Sequence, residues 1–530
     1  MLLRLRQFIR YCFDEKPLLF CMWTAFAFRM VAVIFAQGIA FGFDHYVYIE
    51  NSQDIVSGQT TIQEVLTETS FAYKGYSYIY LIINTVILYI CEFFNIFDPR
   101  SKMFILKLIH ALASLLTIYY SYRLAYRLGN RKAALTVGII VSMLWIMPYI
   151  SVKSLPENIA SIFLLAGVYR LSKIKKRDYK YGDDLFIGLL LGCAISFCYN
   201  TIIFVVGFAI AVGVISGKRR SSLILLGAAI SFFILEGIVD MILLKTPFYI
   251  VNEYVTALID GTVRTRGSKN IYMYISLLAM IIPLPWGFMA LWGYIKAWKR
   301  IFILFFPVTF YIIGSYLLPY KSEQFVIPIV PLFFIICFSG WYRYTSNSRF
   351  WVARPRLSYW LVVTFFLVNT PALILATLSY TRQPQIETML YLSRYKNDTQ
   401  SILVEDIGYE SSKSLPPFYM GKNIIIYNLN KQEEEPDPSI YYSYIKLGKF
   451  ERQLYTEQYF KHPQNAQDIP KFIIFCGDYD MPERLARMRK TFPQITFEKK
   501  INPSFADRVI QFINPNNINQ PLSIYRTSQD

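Results

Sequence analysis

The sequence predicts a polytopic α-helical membrane protein of about eleven spans, followed by a small C-terminal α/β domain. Three observations carry that expectation. The 530-residue chain is 54% hydrophobic and only 17% charged, against about 25% charged for soluble domains. Apolar runs near 20 residues long recur over the first 380 positions, each able to cross a hydrocarbon core of roughly 30 Å. Basic clusters punctuate those runs at intervals, as the positive-inside rule requires of cytoplasmic loops.

The net charge of +18 does not mark a nucleic-acid binder. Residues 381–530 hold 19 basic and 18 acidic side chains, so almost all the excess lies in short loops of the first 380 residues, where it sets orientation. The seven cysteines fall mostly inside apolar runs, where free Cys acts as a small hydrophobe. With three histidines and no closely spaced Cys pair, no structural metal is expected. No Gly-rich phosphate loop is present, which argues against a nucleotide-driven pump.

The first apolar run, Leu18–Ala40, follows Arg4, Arg6 and Arg10 and is too long for a signal peptide. Further spans are expected at 103–126, 133–152, 157–173, 184–199, 201–217, 221–243, 271–295, 301–319, 324–342 and 358–380. The basic clusters at 123–132, 170–180, 218–220, 296–300 and 343–356 all fall on one side if Tyr76–Phe94 does not cross. That stretch is therefore assigned to a long outer loop, 41–102. Residues 1–380 form the expected membrane domain and 381–530 an extracytoplasmic domain. In the tail, Ser401–Glu405, Asn423–Tyr427 and Lys471–Phe475 read as strands and Pro482–Lys490 as a helix.

Ionisable residues in or beside spans are costly and mark candidate sites. Asp44, just after the first span, is placed as a general base or as a helix N-cap, with His45 beside it. Lys321 and Glu323 lie at an outer mouth, where the lysine could hold a phosphate or anchor the interface by pairing with the glutamate. Glu236 and Asp240 share one helix face and point to a polar cavity or to the interface. Arg264 and Arg266 make an outer loop basic, suiting a phosphate or solvent. Asp478 and Asp480 match a metal-binding Asp-x-Asp spacing, but such pairs arise readily in loops after strands.

Lys321-Ser-Glu-Gln-Phe325 with Pro328 and Pro331 resembles the His-Lys-Glu-Glu-Arg-Phe motif of the family 22 mannosyltransferases, in the C superfamily of membrane glycosyltransferases (GT-C). Tyr76-Ser-Tyr-Ile-Tyr80, Lys107-Leu-Ile-His110 and Ser154-Leu-Pro-Glu157-Asn158 are similar to other segments of that family, in the same order, over roughly residues 18–345. The resemblance implies an inverting transfer of a hexose, with mannose expected, from a polyprenyl-phosphate donor to a lipid-linked or envelope glycan, without a cofactor. It implies Asp44 as base. His45, Lys321, Glu323, Arg264, Arg266, Glu236, Asp240 and Glu157 would hold substrate or phosphate. A bacterial inner membrane with the site outside is expected, or alternatively the endoplasmic reticulum membrane. A transporter or flippase of lipid-linked sugars is the rival class; its usual sign, an internal repeat, is not seen in the sequence.

Overall fold

A computed structural model describes residues 13–39, 44–68, 71, 74–174, 179–260, 273–319, 321–405, 415–422, 424–431, 442–447, 452–455, 469–513 and 519–527. The principal helices are α1 Pro17–Phe35, α2 Asp44–Val56, α3 Ile62–Thr67, α4 Tyr78–Phe93, α5 Pro99–Leu128, α6 Arg131–Met143, α7 Ile146–Ser151, α8 Pro156–Lys173, α9 Tyr181–Phe197 and α10 Thr201–Ser216. They continue as α11 Lys218–Leu244, interrupted by a π turn at Phe233–Ile238, then α12 Tyr249–Ile259, α13 Met273–Met280, α14 Trp286–Ala297 and α15 Phe302–Leu317. A 3-10 turn, Glu323–Ile329, leads into α16 Val330–Asn347, and α17 is Pro355–Thr377.

Among the described residues five helices are long and apolar enough to cross a membrane: α1, α5, α11, the Glu323–Asn347 stretch and α17. The pair α14 and α15, bent by 118°, makes a sixth if taken as one span. The expected run 133–152 is two helices, and the physical reason is visible. Leu144 leaves helical geometry, and Asn369 of α17 takes over the broken ladder. Its Oδ1 accepts from the Trp145 amide at 2.8 Å and its Nδ2 donates to the Met143 carbonyl at 2.8 Å. Likewise 271–295 divides around Pro283 and Pro285, because proline cannot supply a helix donor.

The chain forms two compact units. The first comprises Met1–Ala36, Thr60–Asn84 and Ile105–Leu378. Its helices meet at glycines. A Cβ at Gly188 would collide with the Ile224 carbonyl, and one at Gly227 with the Leu185 carbonyl, so α9 and α11 touch backbone to backbone. Gly293 and Gly340 do the same for α14 and α16. Close approach through small residues is the membrane solution to helix packing, where lipid removes the hydrophobic drive. Large apolar side chains such as Trp23, Ile34, Val214, Met241 and Leu367 remain exposed on the helices, as a surface solvated by acyl chains requires.

The second unit comprises Gln37–Gln59, Thr85–Phe104 and Ser379–Asp530. Strand β1 (Gln37–Gly38) pairs in parallel with β2 (Tyr380–Thr381). Seven further strands form one sheet: β3 Ser401–Glu405, β4 Ile425–Lys431, β5 Tyr442–Leu447, β6 Arg452–Tyr455, β7 Phe472–Cys476, β8 Ile495–Ile501 and β9 Leu522–Thr527, in the order β6-β5-β4-β3-β7-β9-β8. Central β3 is parallel to β4 and β7; the other pairs are antiparallel. Strands β3 and β7 are buried at every position, which explains why they read as continuous apolar runs. The helix Met481–Thr491 seals this sheet with Met488, against Leu403, Ile473 and Phe475.

Candidate active site

The helical unit buries an unusual number of polar groups at the start of α4 and α5 and the start of α8. On α4, Tyr80 places its hydroxyl 2.5 Å from His110 Nε2 of α5. His110 Nδ1 lies 2.8 Å from the Leu106 carbonyl. A carbonyl only accepts, so the geometry assigns the proton to Nδ1 and leaves Nε2 to accept from Tyr80. Ser154 and Glu157 lie within electrostatic reach of the same hydroxyl. Glu157 is buried in the first turn of α8, behind Pro156 at its first position.

Two lysines stand beside this group. Lys107, one turn before His110, is 7% exposed, and among the described residues it makes no hydrogen bond or ion pair. Lys153, at the bend between α7 and α8, is 2% exposed, with its ammonium 4.8 Å above the Tyr149 ring. Burial pushes the Lys153 ammonium well below the usual lysine range, and the positive charge of Lys107 adds to the shift. Two like charges withdrawn from water raise each other's cost, which an anion, or the loss of a proton, relieves.

The acidic half of the cluster is on α11. Glu236 and Asp240 are both fully buried. Glu236 Oε2 accepts from the Tyr199 hydroxyl at 3.1 Å, and Asp240 Oδ2 accepts from the Ile250 amide at 3.3 Å. Their other oxygens, Glu236 Oε1 and Asp240 Oδ1, have no partner among the described residues. Tyr78, two residues before Tyr80 on α4, feels both carboxylates, and its own buried hydroxyl is unpartnered among the described residues. The π turn lies at Glu236, and such turns often mark functional sites.

The motif at 321–325 borders the same group. Tyr311, within reach of Glu157, donates to the Phe325 carbonyl at 2.6 Å. Gln324 is buried; Lys321 is half-buried, 4.6 Å over the Tyr316 ring; Glu323 is exposed, and no Lys321–Glu323 ion pair is present among the described residues. Of the sequence candidates, therefore, Glu157, Glu236 and Asp240 join one buried polar cluster, and the 321–325 segment lies at its edge. Arg264 and Arg266 lie outside the described residues. Asp44 opens α2 in the other unit; beside it His45 is buried, its ring 4.6 Å from that of Tyr46. In the tail, Asp478 is paired with Lys500 and Asp480 precedes the helix Met481–Thr491.

Sequence reasoning passed over Lys107, His110, Lys153, Tyr78, Tyr80 and Tyr199 as site residues. The available signal was an ionisable residue inside an apolar stretch, which Lys107 and His110 both are.

The profile of the Alg9-like mannosyltransferase family matches residues 21–406. The chain belongs to that family. It is a membrane glycosyltransferase and a multi-pass membrane protein. Among solved structures it is similar to ArnT from Cupriavidus metallidurans in the apo state, with TM-score 0.60 at 12% identity, over 96% of this chain and 97% of that one. ArnT from the same organism bound to undecaprenyl phosphate gives TM-score 0.59 at 11% identity, over 97% and 98%. These likenesses establish the GT-C fold. An oligosaccharyltransferase from Archaeoglobus fulgidus, complexed with zinc and sulfate, gives TM-score 0.47 at 11% identity, over 89% of this chain and 69% of that one. No curated protein matches the chain by sequence.

Proposed function

We propose that this glycosyltransferase moves a hexose, with mannose as the expected sugar, from a polyprenyl-phosphate donor to a lipid-linked or envelope glycan. One observation carries the reading: Lys107 and Lys153 are buried close together, and Lys107 lacks an acidic partner among the described residues. A phosphate on a membrane-embedded lipid supplies the missing charge at the depth where the lysines stand. The similarity to a structure holding undecaprenyl phosphate supports the same donor class.

In this reading an acceptor hydroxyl attacks the anomeric carbon as the carbon–oxygen bond to phosphate breaks, inverting the centre. Asp44 takes the hydroxyl proton, and polyprenyl phosphate departs with the bonding pair. Lys107 and Lys153, with Lys321, Arg264 and Arg266 from the loops, meet the charge that grows on the leaving group. Glu236, Asp240, Glu157 and His45 offer acceptors to sugar hydroxyls.

The shorter apolar helices complete eleven spans in this reading, while α4, at 16 residues and about 24 Å, lies along the outer face. Residues 381–530 then stand outside a bacterial inner membrane and assist acceptor binding. The test is transfer of radiolabelled sugar from polyprenyl-phosphate mannose to extracted envelope glycans by the purified protein. Product with inverted anomeric configuration supports the reading. Transfer from a nucleotide sugar alone, or flipping of the donor without transfer, would reject it.

A further inference from the structure

A charged cavity lies far from the polar cluster. A pocket of about 420 Å³ is walled by Gly129, Lys296, Lys299, Arg300, Ser339 and Arg343. No acidic residue lines it, and none of its four cations forms an ion pair among the described residues. Ser339 is 4% exposed, yet its hydroxyl in the wall has no partner among the described residues. Gly129 keeps that hydroxyl open, since a Cβ there would lie 2.9 Å from Ser339 Oγ.

Position separates this pocket from the buried lysines. Lys107 stands near the start of α5 and Leu128, in the pocket wall, at its end. The rise between them is about 30 Å, one hydrocarbon thickness. The pocket is therefore at the opposite membrane surface, the one carrying the basic clusters.

A soluble anion would need only the charges. The neighbouring helix offers more. Along α14 and the residue that follows it, Phe288, Trp292, Ile295 and Trp298 are all exposed large apolar side chains at helical spacing, forming one stripe that ends beside Lys296 and Lys299. An apolar track leading to a cationic cup, with tryptophans at the interface, fits a molecule with an acyl chain and an anionic head.

We propose that this pocket binds the phosphodiester headgroup of an anionic phospholipid from the inner leaflet, with an acyl chain laid on the α14 stripe. Arg300, Arg343 and Lys299 neutralise the phosphate, and Ser339 donates its hydroxyl to a phosphate oxygen. The bound lipid joins the ends of α5, α14 and α16, which all contribute to the wall of the pocket. This site is separate from the proposed donor site, and its test needs no sugar transfer.

The experiment measures retention of spin-labelled phosphatidylglycerol by the full-length protein in phosphatidylcholine nanodiscs. Preferential retention over spin-labelled phosphatidylcholine is expected. Each removed charge should weaken it about fivefold, so Arg300→Gln with Arg343→Gln should lose about 25-fold. Arg300→Lys with Arg343→Lys should keep most of it, and a monodisperse elution profile checks that each variant is folded. Equal retention of the two lipids, or undiminished binding by the folded Gln variant, overturns the site. Displacement of the labelled lipid by millimolar inorganic phosphate overturns the lipid as its occupant.

Discussion

The hydroxyl of Tyr80 and the Nε2 of His110 lie 2.5 Å apart, both buried, and this contact helps tie α4 to α5 within the helical unit. Because Lys107 precedes His110 by one turn, the contact also fixes the rotation that presents Lys107. Tyr80→Phe removes the donor and strands a buried imidazole nitrogen. The expected cost is about 1–3 kcal/mol in detergent unfolding, with a weakened donor interaction seen as a raised KM. Unchanged stability and KM would mean that the contact positions nothing.

The two buried lysines give opposite signs for stability and activity. Lys107→Met removes one of two like charges held out of water, so the ligand-free protein should gain thermal stability. Transfer should fall roughly a hundredfold or more, the scale of a lost charge-stabilising group. A variant that loses both stability and transfer in proportion would identify Lys107 as a packing residue.

A pH dependence follows from the depressed Lys153 ammonium. Burial, with the charge of Lys107 beside it, holds its folded-state value below the unfolded one, so folding shifts the balance toward the neutral form. The folding penalty is absent above the unfolded value, grows as pH falls between the two values, and is fully present below the folded one. A phosphate binds the protonated form, so donor binding takes up a proton at pH above the folded value and weakens as pH rises. Donor Kd measured from neutral to alkaline pH should climb, and Lys153→Arg should flatten the climb because guanidinium keeps its charge.

Asp44→Asn tests the proposed base. Asn caps a helix as well as Asp, so protein level and detergent stability should stay normal while transfer falls about a hundredfold or more. Near wild-type transfer would remove Asp44 from the mechanism and turn attention to Glu236.

In the tail, Glu405 at the end of β3 is fully buried and held by Arg484 and Arg487. Arg484→Met leaves that carboxylate partly uncompensated and should cost about 3–5 kcal/mol. Limited proteolysis should show cleavage within 379–530 at a lower denaturant concentration than in the parent protein.

Much of the architecture was legible because it rests on local pattern. The apolar runs are helices, and the strands at Ser401–Glu405 and Phe472–Cys476 announce themselves by continuous burial. What stayed hidden depends on partners distant in the chain. Nothing near Leu144 reveals that Asn369 will cap a break there. Lys107 and Lys153 become a pair only when α5 and the α7–α8 bend pack together. The parallel pairing of Gln37 with Tyr380 and of Gly38 with Thr381 is equally non-local, so a division drawn at the last apolar run places 37–59 and 85–104 with the helices, although they cluster with the tail.

The π turn at Phe233–Ile238 lets α11 hold one residue more than regular α geometry would between the same flanking segments. Deleting one residue inside the turn would restore regular α geometry and leave the helix after it nearly in register, so Asp240 would keep the Ile250 amide. Glu236, inside the turn, would instead change its direction and lose the Tyr199 hydroxyl. The spacing of these two acids is thus stored as one surplus residue in the backbone, and the register of α11 is a coordinate of the site in its own right.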